Sequence, residues 1–505
     1  MKKHDVIVIG SGLGGLMCAF LLSKFGYDVL VLEKNNQIGG CLQTFRRKGT
    51  TFDTGMHYIG SLKEGQIMNT FFKYFNLTDN VKLQEQNLSA YDTISINGTD
   101  FDFPVGYDNL KENLLNSFGS EEKAIDTYIK DIKQIANSSP FVNLKKLDGY
   151  EFTNNPYNNV SASDYINKIT SNPDLQNILA GNLFLYGGEK NITPLYIHAQ
   201  IRNFYTQGAY RIVGGSDSIA KSLESDILKN GGEILTDCEV TEIKCDSNQA
   251  EYVVTKSNEK FYADHFISDI HPQTLLKLID TPLLRKAYRN RINKINNTVS
   301  NFGIYIKFKD DVRLAYKNTN FYRFACDSVW DYIPDDNFTT PKSYLLMHQA
   351  ESVNQEYAKS AVILTPMKFQ SVKKWENSFT GKRDKSYYDF KQECAEKVFS
   401  LVSQFDNEII NAIDYYETSS PLTYRDYTYT AMGSTYGIMH NADNIAESYI
   451  PHKTKIPNLL LTGQNINTHG MLGVTIGSII TCSSLIDYNT LIKDITNSTN
   501  HTNEI

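Results

Sequence analysis

Val6-Ile7-Val8-Ile9-Gly10-Ser11-Gly12-Leu13-Gly14-Gly15 is the first regular pattern in the chain, and its flanks decide how it folds. A β-branched run ends at Gly10, an apolar run with helical spacing continues to Phe25, and a second apolar run, Val29-Leu30-Val31-Leu32, ends on Glu33-Lys34. The order is strand, turn, helix, strand. Gly10 permits the tight turn, Gly12 lets backbone N–H groups approach a pyrophosphate, and Gly15 lets the helix pack close to the strand. Leu13 and Gly14 lie in the helix's first turn, whose positive end then meets the phosphates. Glu33 has the spacing of a carboxylate that holds a ribose hydroxyl.

These features make half of a Rossmann unit. The glycines alone are a weak signal; the continuation is specific. Ile38-Gly39-Gly40-Cys41 follows just past the ribose acid, and then comes Phe52-Asp53-Thr54-Gly55-Met56-His57. Nicotinamide dehydrogenases do not usually carry that second glycine pair, whereas FAD-binding oxidoreductases of the glutathione-reductase type do. The expected cofactor is therefore FAD, contacted by Gly39, Gly40, Cys41, Gly55, Met56 and His57 as well as by the first glycine turn, Glu33 and Lys34. The expected fold class is α/β, a glutathione-reductase-type Rossmann FAD-binding domain with an inserted α+β substrate domain.

A chain of 505 residues exceeds one compact unit. Net charge is −7 and basic residues occur only in short pairs such as Lys145-Lys146 and Lys373-Lys374, which excludes nucleic acid as an expected partner. Met1-Lys2-Lys3-His4-Asp5 runs straight into the first strand, so a cytoplasmic protein is expected. Met471 to Ile486 is the nearest approach to a membrane span, but Gly473, Thr475, Gly477 and Ser478 interrupt it, and a buried helix facing the cofactor is expected. Peripheral contact with the inner face of the membrane stays compatible. The seven cysteines are scattered without any CxxC pair, and the histidines show no metal-ligand spacing, so neither disulfides nor a metal are expected.

The βαβ alternation stops near Ser61. Helices are expected over Gly65–Phe75 and Glu121–Ala136, with strands near Ala90–Ile96 and Asp100–Phe103. Aromatic residues are dense here, including Phe71, Phe72, Tyr74, Phe75, Tyr128, Phe141, Tyr150, Phe152, Tyr157, Tyr165, Phe184 and Tyr186, and some are expected to line an apolar pocket. Cofactor-domain character returns at Tyr210–Ser216, with a helix over Asp217–Lys229, strands over Glu233–Thr236 and Cys238–Ile243, a hairpin through Tyr252–Thr255 and Lys260–Ala263, and the apolar run His265–Ser268. Val240 is expected to touch the adenine through its backbone. A second excursion follows His271-Pro272, with strands over Ser300–Phe308, Ser343–His348 and Ala361–Thr365 and helices over Lys385–Val402 and Asp406–Ala412. The expected domains are thus 1–60, 208–272 and 421–505 for FAD, and 61–207 with 273–420 for the substrate. In the last return a buried strand ends at Leu461-Thr462-Gly463-Gln464, and His469-Gly470-Met471-Leu472-Gly473-Val474 opens a helix whose N–H groups can face the flavin's pyrimidine edge. A frayed tail is expected from Asp494.

With both ends and the middle in view, the chain resembles the retinol saturase-type branch of the phytoene desaturase and carotenoid isomerase flavoproteins over nearly its whole length. The residues that carry the likeness are Gly10–Gly15, Glu33, Ile38–Cys41, Phe52-Asp53-Thr54-Gly55-Met56-His57-Tyr58-Ile59-Gly60, Gly214-Gly215-Ser216, Gly381-Lys382-Arg383, Ser420-Pro421-Leu422-Thr423 and Leu461–Gln464. The resemblance implies one non-covalent FAD, a hydrophobic polyene or isoprenoid substrate, and chemistry on a carbon–carbon double bond. It leaves the direction, the electron donor or acceptor and the oligomeric state open.

Reduction of a double bond takes hydride from the flavin and a proton from an acid; desaturation runs the same groups backwards. His57 and Tyr58 follow the turn such folds bring to the flavin, and His469 stands before the last helix, so these three are the candidate catalytic residues. Each has a plainer role open to it: a structural histidine, a pocket wall, a turn residue. Three functions are in play: saturase or desaturase, a flavin-dependent cis–trans or positional isomerase, and a flavin-containing lipid-binding protein.

Overall fold

Two seven-stranded sheets divide most of the strands between them. The computed structural model of the protein describes residues 2–145 and 154–500. In the first sheet β1 (Lys3–Ile9) pairs in parallel with β2 (Val29–Leu32) on one side and with Lys260–Ser268 on the other, Ile9 standing level with Leu32 and Ser268. Glu233–Leu235 extends the parallel array beyond β2, and Leu459–Leu461 pairs in parallel with the end of Lys260–Ser268. Antiparallel strands Ala250–Thr255 and Val240–Cys245 complete it. Val6, Val8, Val29 and Val31 are fully buried, as are Ile7 and Leu30 on the alternate face. That is why these strands are continuous apolar runs rather than alternating ones.

α1 (Leu13–Lys24) crosses from β1 to β2 and is buried on nearly every side, packed against the helices Asp217–Lys229 and Gly470–Cys482. The close crossing needs Gly15, where a Cβ would stand 2.2 Å from the Gly10 carbonyl oxygen.

The second sheet runs in the order Ile413–Ser419, Ser300–Phe308, Ser360–Met367, Ser343–His348, Asn320–Phe324, Asp92–Ile96, Thr99–Phe103. All its pairings are antiparallel except Asn320–Phe324 with Asp92–Ile96, which joins two distant stretches of chain. Neither strand Asn320–Phe324 nor Ile413–Ser419 was expected from the sequence.

Other expectations shift. Lys260–Ala263 and His265–Ser268 form one strand whose two halves serve different neighbours. The strand expected from Cys238 begins at Val240. The tail does not fray at Asp494: a helix covers Tyr488–Asn500, Leu491 and Ile495 are fully buried, and the Asp494 carboxylate accepts from Lys24 (2.7 Å) and Tyr74 (2.8 Å). Most of the aromatic residues named over 61–207 are core, while Tyr196, Phe204 and Tyr205 of the same stretch line a cavity. Phe71, Phe72, Tyr74 and Phe75 pack under α1, and Tyr128, Phe184 and Tyr186 pack beneath the second sheet, while Tyr150 and Phe152 lie outside the described residues.

Candidate functional site: a dinucleotide channel opening on an apolar cavity

Three cavities meet in series beside the glycine turn. The first, about 540 Å³, is walled by Gly10, Gly12, Glu33, Lys34 and Val240, with Tyr427 and Tyr429 completing it. The second, about 1040 Å³, shares Gly12, Gly40, Asp269 and Thr428 with the first and continues past Leu13, Gly14, Gly39 and Cys41 to Gly463, Gln464 and Val474. The third, about 1190 Å³, shares Gly55, Met56, Tyr424, Tyr436 and Gly470 with the second. It extends along the helix Leu195–Thr206 past Ile197, Ile201 and Phe204, with Leu345, Met347 and Leu364 of the second sheet in its wall. His57, Tyr58, His469, Leu472 and Gly473 line this third cavity. Every residue expected at the cofactor thus borders the channel except Gly15, which serves the helix crossing.

The channel fits a dinucleotide. Glu33 is fixed for a ribose: its Oε2 accepts from the Ser11 N–H (3.0 Å) and hydroxyl (2.6 Å), its Oε1 from the Asn35 N–H (2.8 Å), and lone pairs remain for sugar hydroxyls. Gly39 and Gly40 both take positive φ, 109° and 55°, which turns the second glycine pair back onto the first: Gly39 bridges to Gly12, and a Cβ on Gly40 would stand 3.1 Å from the Gly12 Cα. Side chains there would close the channel between the first and second cavities. The first turn of the helix Gly470–Cys482 supplies a second N-terminus on the channel, through Gly470 and Met471.

Distant motifs meet to hold these walls. The Asp53 carboxylate accepts from the Ser216 N–H (2.7 Å) and hydroxyl (2.8 Å), joining the Asp53-Thr54-Gly55 turn to Gly214-Gly215-Ser216. Arg383 pairs with Asp426 at 2.5 Å, the Asp426 carbonyl accepts from Lys34, and the Asn35 amide donates to the Tyr427 carbonyl (3.0 Å). Lys34 also sits over the Tyr429 ring, 3.8 Å from its centroid. Residues 424–436 therefore close one side of the channel, a wall supplied from far along the chain. Ser11, Asn35, Asp269 and His271 escaped sequence reading. The signal for Asp269 was present, an acid directly after a buried apolar strand, but nothing local showed where that strand ends.

Burial sets the protonation of the three catalytic candidates. His57 is pushed down to about 3 by burial and then by the charge of Arg211, so it is a neutral imidazole, and its Nε2 is buried without a hydrogen-bond partner. Arg211 is itself held by the Asn318 and Asn320 side-chain oxygens (3.2 and 2.8 Å) and the Thr319 carbonyl (3.1 Å). His469 is lowered to about 4, by burial first and by His440 second; its Nε2 donates to the Leu185 carbonyl (3.2 Å), which leaves Nδ1 an acceptor. Tyr58 is raised well above the ordinary phenol value, chiefly by burial and then by Asp92, and its hydroxyl is 2.6 Å from that of Tyr322.

A Rossmann sheet, a fixed carboxylate at the end of its second strand and two helix N-termini on one channel define a flavin-dependent oxidoreductase of the dinucleotide-binding class. The family model of flavin containing amine oxidoreductases matches residues 13–364, and the chain belongs to that family. All-trans-retinol 13,14-reductase of Rattus norvegicus is 28% identical over 98% of this chain and 87% of its own length. Chloroplastic prolycopene isomerase of Daucus carota is 25% identical over 87% of this chain and 72% of its own. Among solved structures, an oxidoreductase from Methanosarcina mazei superposes with a TM-score of 0.63 at 16% identity, covering 94% of this chain and 99% of that one, which establishes the shared fold. FAD is the cofactor, and the resemblance to the retinol saturase branch holds.

Proposed function

We propose that this protein is an FAD-dependent oxidoreductase acting on a carbon–carbon double bond of a hydrophobic polyene or isoprenoid, retinoid- or carotenoid-like, as a saturase or desaturase. The observation that carries this is the third cavity. Its far walls are built from Ile197, Ile201, Phe204, Leu345, Met347 and Leu364, and it meets the cofactor channel at Gly55, Met56 and Gly470. A space with apolar side chains in its far walls and one end at the flavin channel suits a polyene laid against the ring. The retinol reductase and prolycopene isomerase relatives support the same substrate class.

Bound FAD supplies hydride transfer at its ring nitrogen. The chain then has to deliver one proton to the neighbouring carbon. His469 has its only N–H committed to Leu185, and His57, although it lines the cavity, is a neutral ring without an imidazolium proton to give. Tyr58 fits better: burial keeps it protonated, and its hydroxyl shares one 2.6 Å hydrogen bond with that of Tyr322, in which either can be the donor. Tyr58 is thus the proton donor in saturation, with Tyr322 as its positioning residue.

The isomerase relatives favour a second function, cis–trans or positional isomerisation with reduced flavin unspent. The deciding experiment is anaerobic. The flavoprotein is reduced with dithionite, retinoids, carotenoids and polyunsaturated fatty acids are added, and flavin absorbance and product mass are followed. Reoxidation with a two-hydrogen mass gain supports the saturase. Altered substrate at unchanged mass, with flavin still reduced, supports the isomerase; silence in both this and the oxidised enzyme with saturated substrates overturns both.

The proposal includes an electron donor or acceptor from outside the chain, no nucleic acid, and loose contact with the cytoplasmic face of a membrane, where such substrates dissolve. Among the described residues no helix is long and apolar enough to cross one.

A further inference from the structure

Asp269 directly follows the strand Lys260–Ser268, and its N–H donates to the Ile9 carbonyl at 2.9 Å. Its side chain lines both the first and the second cavity, and its carboxyl accepts from the backbone N–H groups of Gly12 and Gly15. The fit is close. A Cβ on Gly12 would stand 2.3 Å from Oδ2, one on Gly14 2.6 Å from Oδ1, and one on Gly463 2.3 Å from Oδ1. One carboxyl group therefore braces the start of α1 against the turn that follows Leu459–Leu461.

The charges around it are unfavourable to an anion. Glu33 opposes its ionisation. The other titratable groups bordering the same cavities do not offset this. Lys34 is turned to the Asp426 carbonyl and the Tyr429 ring, Glu239 pairs with Lys256 and the Tyr429 hydroxyl, and His271 joins Asn297 and the Gln273 N–H, held neutral by burial at about 4. Tyr424, Tyr429 and Tyr436 are raised, chiefly by burial. Burial, followed by Glu33, takes Asp269 up to about 7, although its two N–H donors act in the other direction. FAD then brings an anionic pyrophosphate to the same helix N-terminus.

We propose that Asp269 is a positioning residue of the cofactor site that works as a neutral acid, bracing the glycine turn and taking up one proton from solvent as FAD enters. The inference rests on FAD being the cofactor. Ionised, the carboxylate competes with the pyrophosphate for the N–H groups of the first turn and repels it; protonated, it keeps the turn in shape and can donate to a phosphate oxygen. FAD affinity is then linked to pH, with Kd rising towards about tenfold per pH unit where the apoprotein has lost this proton.

The test uses the full chain stripped of flavin. FAD is titrated by fluorescence quenching between about pH 6 and pH 9, and proton uptake is read with an indicator dye in weak buffer near pH 8. The expected result is uptake approaching one proton per FAD and weakening affinity above about pH 7, with both effects lost in Asp269→Asn. Binding without proton uptake by the native chain overturns the proposal, even if the variant does not fold, and so does uptake that persists in Asp269→Asn. Absence of FAD binding at every pH overturns the cofactor assignment, and the proposal with it.

Discussion

Gly12 sets the steric condition for cofactor entry. Its backbone φ of −63° is open to any residue, so the constraint is space: a Cβ there would stand 2.3 Å from Asp269 Oδ2. Gly12→Val is expected to yield a folded protein without flavin, read as loss of the yellow absorbance at an unchanged far-ultraviolet dichroism spectrum; a fully loaded variant would remove the pyrophosphate from this turn. At the chemical end, Tyr58→Phe deletes one hydroxyl from a 2.6 Å pair and little else. If Tyr58 moves the proton, turnover should fall by about 10²–10⁴-fold with FAD still bound, and Tyr322→Phe should shift the pH profile with a smaller loss. His57→Ala, in contrast, removes a neutral wall residue and should change KM more than kcat. A large kcat loss there, with Tyr58→Phe active, would reverse the assignment.

Among elements, the helix Pro421–Thr428 and the stretch after it matter most, because they close the cofactor channel from a position more than four hundred residues beyond the glycine turn. Asp426 is the joint: it takes Arg383 at 2.5 Å, Arg425 at 2.7 Å and the Thr380 N–H and hydroxyl at 2.9 Å each, while its carbonyl takes Lys34. Losing one charge-assisted bond costs about 1.5–3 kcal/mol. Asp426→Asn should therefore release FAD roughly tenfold faster or more, followed as recovery of free-flavin fluorescence after dilution; unchanged release would mean that this wall does not retain the cofactor. The same element shows where the sequence stops being legible. Val6–Gly15 and Val29–Glu33 were readable because periodicity and turn chemistry are local. Ser420–Thr423 and Gly381–Arg383 carried a family likeness but no mechanism, since Ser420 and Thr423 cap the helix that holds Asp426 and Arg383 pairs with that carboxylate, relations that only the fold creates. Aromatic density could not say which rings face the cavity for a related reason: Phe71 or Tyr128 as a residue type does not tell core from cavity, whereas Phe204 and Tyr205 line it by the way their helix packs and Tyr436 from a bend far along the chain.

Over the whole molecule, an uncommon number of titratable groups are held away from their ordinary protonation, which fixes the sign of the pH dependence. His57, His198 and His348 are pushed down to about 3, and His271, His440 and His469 to about 4, in each case mainly by burial. The folded chain refuses these protons while the unfolded chain accepts them below about pH 6.5, so each contributes stability that is lost as pH falls from 6.5 towards 4. Asp92 and Asp269, raised to about 7 by burial, act the other way: each favours the folded state at low pH and loses that contribution as pH rises from about 4 to 7. Asp53 is raised for the same reason. Between about pH 4 and pH 6.5 the histidines outnumber the carboxyls, and each uncompensated proton is worth at most about 1.4 kcal/mol per pH unit. Stability should therefore climb with pH across this window and level off near neutrality. Calorimetry of the flavoprotein should find a Tm at pH 7 at least about 5 °C above that at pH 5. His198 offers the internal control, because its ring nitrogens are satisfied by Tyr128 (2.8 Å) and Tyr186 (3.0 Å) far from the cofactor channel. His198→Gln should lower the Tm at pH 7 and flatten its pH slope by about one proton. A Tm that is equal or higher at pH 5 would mean that these histidines carry charge in the folded chain, and His57 would then return as a candidate acid.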